Sequence, residues 1–176
     1  KQKKIITKSE LIDLKSAEGR LLSTDLNSKI NLPPFNNSAV DGYALHKQDL
    51  KNNKILYCTR RIAAGDKKNI KIKFGEAVRI FTGAKMPVNS CTVVMQENTF
   101  RKENKVKLLK APRFGENSRV KGEDIKKNQK ILTNGSKINQ QNINLIAASG
   151  IKKIRVFKKI NIGFFTSGNE LRKPTK

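Results

Sequence analysis

Residues 32–45 leave the backbone little choice: Leu32-Pro33-Pro34-Phe35-Asn36-Asn37-Ser38-Ala39-Val40-Asp41-Gly42-Tyr43-Ala44-Leu45. Two consecutive prolines fix φ and withhold two donors, and the residue before a proline avoids the helical region. Asn36, Asn37 and Ser38 can fold their oxygens back onto the backbone in a turn. Val40, Tyr43 and Leu45 then supply the apolar positions of a short strand. Between them Asp41-Gly42 sets a carboxylate beside a residue that lets another backbone, or a ligand, approach closely. Two readings follow, a turn capped by Asp41 or a rigid platform presenting its carboxylate.

The flanking sequence is built the same way. Ile55–Thr59, a strand in Gly75–Ala84 closing in a Thr82-Gly83 turn, Val93–Met95 and Lys105–Leu108 are short apolar or alternating segments separated by turn residues. That spacing predicts an antiparallel barrel or sandwich over residues 30–126. On either side the patterns differ. Ser16 is expected to cap a short helix containing Glu18, Gly19, Arg20, Leu21 and Leu22, and residues 139–149 carry a helical pattern ended by Gly150. Ile154 and Val156 read as a strand. The expected architecture is mixed α+β, with a mainly β, barrel-like domain (30–126) inserted into a small linker domain (1–29 and 127–157). Residues 158–176 would begin an α/β domain, with a strand over Ile160–Phe165 running into Thr166-Ser167-Gly168, the manner in which a phosphate-cradling loop opens.

Charge narrows the choice of ligand. Lys and Arg number 38 against 14 Asp and Glu, so the 176-residue chain attracts anions, unless the lysines are only a solvated surface. With two Tyr, no Trp and eight dispersed Phe, it offers few rings for stacking bases, and no nucleic-acid partner is expected. Cys58 and Cys91 match no metal-ligand spacing and are expected to be free thiols. A single histidine, His46, makes a triad or a multi-histidine metal site improbable. No apolar run approaches the roughly 20 residues of a membrane span, and no membrane partner is expected.

Against this basic background four oxygen-bearing residues, Asp41, Thr82, Asp124 and Glu170, stand beside or near glycine at the ends of expected strands. Oxygen ligands of this kind suit Mg²⁺, and the basic surroundings suit a phosphorylated ligand. Each alone is weak: Thr82 and Asp124 are more often turn or cap residues, and Glu170 is as readily a helix-start acid.

The segments LPPFNNSAVDGYAL, RIAAG, GEAVRIFTGAKMP, VVMQE, KGEDI, INLIAASGIKKIRV and FFTSGNEL, in this order and spacing, resemble the MoeA family of molybdopterin molybdenumtransferases, which is similar to the E-domain of gephyrin. The resemblance implies insertion of molybdate into adenylylated molybdopterin with release of AMP and assistance from Mg²⁺. It also implies a cytoplasmic homodimer whose cleft lies between the barrel-like domain of one subunit and the α/β domain of the other. By the matching motifs Asp41, Thr82, Asp124 and Glu170 would line that cleft as catalytic residues, Asp41 and Glu170 would hold metal, and Thr166, Ser167 and Gly168 would bind the pterin substrate. Asn36 and Asn169 stand where the family often has aspartate, and Pro87–Thr92 departs from its usual PEGADA. Family members are much longer, so the chain is expected to be an N-terminal fragment that does not complete the reaction. A basic nucleic-acid-binding barrel and a non-catalytic dimer scaffold are the rival readings.

Overall fold

A computed structural model describes residues 8–51, 54–67, 69–168 and 170. The basic stretch 1–7, Asn169 and Leu171 lie outside them.

The chain begins with β1 (Ser9–Asp13), a 3-10 turn (Leu14–Ser16), β2 (Leu26–Asn27) and β3 (Asn37–Ser38). There follow β4 (Gly42–His46), β5 (Ile55–Ile62), β6 (Glu76–Ile80), β7 (Ser90–Met95), a second 3-10 turn (Gln96–Asn98), β8 (Thr99–Lys102) and β9 (Lys105–Leu108). It ends with β10 (Ser118–Arg119), β11 (Lys130–Leu132), α1 (Gln140–Ala148) and β12 (Lys153–Phe157). Strands β4 to β9 make one six-stranded sheet in the order β7-β4-β6-β5-β9-β8, curled into a half-barrel. Its pairs are antiparallel except β5 with β6.

The sheet is covered on both faces, which explains why β4, paired on both sides, reads as the near-continuous apolar run Gly42-Tyr43-Ala44-Leu45. Tyr43 and Leu45 pack with Leu56, Cys58, Ala77, Val94, Val106 and Leu108, while Ala44 packs on the other side with Ile62, Ile72, Val78, Ile80, Ala84, Met86 and Val93. Cys58 and Ile62, four apart in one strand, belong to opposite faces. The register shift between Tyr57 and Arg60 is the cause, a β-bulge that reverses the alternation. Gly42 faces the backbone of β7: a Cβ there would collide with the Val94 carbonyl oxygen and lie 3.1 Å from Val93 Cγ1.

A separate apolar cluster joins the two ends of the described chain. Leu14, Ala17 and Leu22 pack with Ile138, Ile146, Ile151, Ile154 and Val156, and β1 pairs with β12 from Ser9↔Phe157 to Asp13↔Lys153. α1 matches the expected helix. Its start is fixed by reciprocal bonds, Asn142 N–H to Asn139 Oδ1 at 2.8 Å and Asn139 N–H to Asn142 Oδ1 at 3.2 Å.

Two sequence expectations fail here. No helix forms over Ser16–Leu22: Gly19 takes φ +73°, in the left-handed region, and Leu21 and Leu22 form β-bridges to Lys137 and Val156. The tertiary pairing outweighs the weak local helix preference. Residues 158–168 also form no strand. Phe164 and Phe165 are 90% and 92% exposed, and among the described residues only Lys158 of this segment makes a backbone hydrogen bond, its N–H donating to the Lys8 carbonyl at 3.0 Å. An extended run without a neighbour leaves its backbone to water.

Candidate functional site

The register of the sheet brings Asp41 to Thr82. Gly42 pairs with Ile80, so the residue before β4 lies beside the turn after β6. That turn is closed by Ala84 N–H donating to the Phe81 carbonyl at 2.9 Å, with Gly83 at φ +79°. Gly83 N–H is engaged by the Ser38 carbonyl at 2.8 Å, which leaves both Thr82 donors for Asp41. Thr82 N–H and Oγ1–H donate to the same oxygen, Asp41 Oδ1, at 2.8 and 2.7 Å. These two bonds, aided by the charge of Arg79, hold the Asp41 carboxyl below the ordinary aspartate range. Asp41 is thus an anion at neutral pH, with no hydrogen bond to Oδ2 among the described residues. Thr82 has its one hydroxyl proton directed at Asp41 and positions that carboxylate.

The sign of the pH effect follows. A folded-state value below the unfolded one stabilises the protein above the unfolded pKa, and that stability is lost as pH falls through the folded value. Thr82→Val keeps the backbone donor and removes the hydroxyl. The Asp41 carboxyl, followed by carbon-detected NMR, is expected to titrate at higher pH in the variant, part of the way back to an ordinary aspartate. An unchanged titration would show that the hydroxyl does not hold it.

Arg79, on β6 three residues before Thr82, is not marked out by the sequence motifs. Its guanidinium donates to Gln96 Oε1 and, at 3.3 Å, to the Gly42 carbonyl, and it lies 5.2 Å from the Tyr43 ring centre and 4.9 Å from that of Phe81. Gln96 in turn donates its backbone N–H to the Asp41 carbonyl at 3.2 Å. Burial pushes the nearby Cys58 thiol up although Arg79 and Arg101 oppose it, which leaves that sulfur protonated and inert.

Strand β3 is flanked by β10 on one side and by residues 83–85 on the other, while Asp124, five residues beyond β10, donates its N–H to the Leu32 carbonyl at 3.0 Å. Both Asp124 oxygens accept from Arg119 Nη2 at 2.6 Å, and Glu123 accepts from Arg119 Nε and from the Val120 N–H. The Asp124 carboxylate is therefore engaged within its own loop, and its partner Arg119, five residues earlier, is a second residue the sequence reading passed over. Asn36 Oδ1 accepts the Lys121 N–H at 2.8 Å, a bond an amide oxygen makes as well as a carboxylate, so asparagine at this position keeps the loop in place.

Thr166, Ser167, Gly168 and Glu170 are exposed, and among the described residues no hydrogen bond or ion pair ties them to Asp41, Thr82 or Asp124. No group of three or more His, Cys, Asp or Glu able to hold a metal ion occurs among the described residues. Asp41 Oδ2 is the open carboxylate oxygen at the contact with Thr82. That donor set fits Mg²⁺ only where substrate phosphate and water complete the shell.

Residues 1–150 match the family described as the MoeA N-terminal region (domain I and II). The chain belongs to the MoeA family. A molybdopterin molybdenumtransferase of Nostoc sp. is 36% identical over 168 residues, covering 93% of this chain and 38% of that protein. One of Haemophilus influenzae is 32% identical over 166 residues, covering 94% and 41%. Crystal structures of molybdopterin biosynthesis MoeA protein from Pyrococcus horikoshii superpose with TM-scores of 0.83 and 0.80 at 30% and 31% identity, over 89% and 86% of this chain and 41% of each. The chain thus spans about two fifths of the length of these MoeA relatives.

Proposed function

We propose that this chain supplies the Asp41-bearing wall of a molybdenum-inserting site. There molybdate enters adenylylated molybdopterin and AMP leaves, with a second copy of the protein completing the cleft. The observation that carries the reading is the Asp41–Thr82 pair: a carboxylate held ionised and oriented on the rim of a basic β module in a MoeA family chain. In this reading residues 1–29 and 127–157 are the linker domain, 30–126 the barrel-like domain, and 158–176 the entry to a substrate-binding domain. Thr166, Ser167 and Gly168 would then meet the pterin substrate and Glu170 the metal. We place the reaction in the cytoplasm, and no helix among the described residues is long and apolar enough to cross a membrane.

Chemically, the substrates are anions and Asp41 alone would repel them. Asp41 would hold Mg²⁺ together with the substrate, and the ion would supply positive charge that offsets the carboxylate and the phosphate. Asp41 otherwise orients water at the departing phosphate as an acceptor. Thr82 holds the carboxylate in that direction, and Arg79 balances its charge. Arg119 holds Asp124 and Glu123 in their own loop.

Two assays test this. The 176-residue chain alone, with adenylylated molybdopterin, Mg²⁺ and molybdate, is expected to release no AMP above background. A chimera carrying residues 1–150 in place of the matching region of the Haemophilus influenzae relative is expected to release AMP. Asp41→Asn in that chimera is expected to lower the rate by about a hundredfold. Turnover that ignores Asp41 would overturn the assignment.

A further inference from the structure

Beside the Asp41–Thr82 pair lies a depression of about 270 Å³ lined by Thr59, Arg60, Arg61, Arg79, Phe81 and Arg101. Four arginines from β5, β6 and β8 line it, and Arg61 and Arg79 share one face of the sheet while the Arg60 guanidinium is turned to Glu76. The β5 bulge is what assembles them. By reversing the alternation of the strand it pairs Arg61 directly with Arg79 across the parallel β5–β6 ladder. Like charges opposed in register repel, and a folded chain accepts that only at a cost.

Acids offset this charge little at this place: Asp41 feels the charge of Arg79 without forming an ion pair with it. Arg60 is paired with Glu76 at 2.6 Å and donates to the Lys71 carbonyl. Among the described residues no carboxylate forms an ion pair with Arg61, Arg79 or Arg101. Arg79 is immobilised by Gln96, the Gly42 carbonyl and two aromatic rings, and Arg101 is anchored by Nε donating to the Glu103 carbonyl at 3.0 Å. Held in this way, a planar guanidinium loses little further freedom on meeting an oxyanion, which it binds through two parallel donors. Thr59 adds a hydroxyl at the same wall.

We propose that this depression is a binding site for a diphosphate group, two linked phosphates bridging Arg61 and Arg101 over the fixed Arg79. The inference rests on these side chains and not on the proposed reaction. Inorganic pyrophosphate is therefore the probe, titrated calorimetrically into the chain, so a failure here leaves the transferase reading standing and the reverse.

Saturable one-site binding is expected, tighter than for inorganic phosphate. The double variant Arg61→Ala, Arg101→Ala is expected to lose at least about tenfold in affinity. Lys152→Ala, Lys153→Ala, which removes the same charge from β12 and the residue before it, is expected to lose less than about twofold. Thermal unfolding adds a readout that a structural role would not produce. Without ligand the arginine double variant should be as stable as the parent or more so, since repulsion is relieved, and pyrophosphate should raise the melting temperature of the parent alone. Should the double variant not fold, Arg61→Gln alone serves, with the same loss of binding expected. Equal loss in the lysine control, or binding that does not saturate, would mean bulk attraction to a basic protein and would overturn the proposal.

Discussion

Replacing Gly42 by alanine is expected to destabilise the protein by about 3 kcal/mol. The added carbon has nowhere to go: it meets the Val94 carbonyl oxygen, with the Val94 carbonyl carbon at 2.8 Å and Val93 Cγ1 at 3.1 Å. Two of these atoms are backbone of a strand bonded to β4, from Gly42↔Met95 to Ala44↔Val93, so relief requires β7 to move away from the sheet. Thermal unfolding should fall by roughly 6–12 °C for a chain of this size. Gly163→Ala, where a Cβ meets nothing within 4 Å, is the matched control and should stay within about 0.5 kcal/mol of the parent. A Gly42→Ala melting temperature indistinguishable from the control would refute the close approach. Because Gly42 follows Asp41, the variant should also displace the carboxylate from Thr82.

Asp49→Ala is expected to cost a similar amount, about 3 kcal/mol. Asp49 is fully buried, with Oδ2 accepting the Gly75 N–H at 2.8 Å and Oδ1 3.1 Å from Lys54 Nζ. Lys54 Nζ lies 4.2 Å from the centre of the Phe74 ring. Alanine would leave the Gly75 donor and the Lys54 ammonium without a partner while the apolar surroundings remain. Asp49→Asn keeps an acceptor for Gly75 and loses only the charge, and should cost about half as much. Urea unfolding of the two variants separates the contributions. An asparagine variant as unstable as the alanine one would assign the whole effect to the ion pair.

What the sequence discloses and what it hides divide along the range of the interactions. Gly42 is legible as a point of close approach, and the structure identifies the approaching group as the β7 backbone. The helix over 139–149 is legible because its cap, Asn139, and its terminating Gly150 are local signals. Asp41 and Thr82 are legible as special residues, but their contact depends on the β4–β6 register. Arg119 could have been found, since an arginine four and five residues before Glu123 and Asp124 is within reach of both. Arg61 could not, because a bulge of one residue decides which face it takes. The failed helix at Ser16–Leu22 and the failed strand at Ile160–Phe165 have one cause. An apolar run states that burial is wanted and leaves the partner unnamed, which is supplied for Leu22 and, among the described residues, lacking for Phe164.

The pairing of β1 with β12 orders events on the ribosome. Strands β4 to β9 are contiguous in the chain and can close their sheet as they emerge, whereas β1 must wait until Lys153–Phe157 has been synthesised. At ordinary elongation rates that delay is on the order of ten seconds. Until then Leu14 and Leu22 stay uncovered on the nascent polypeptide, which marks this segment as one that a chaperone would bind.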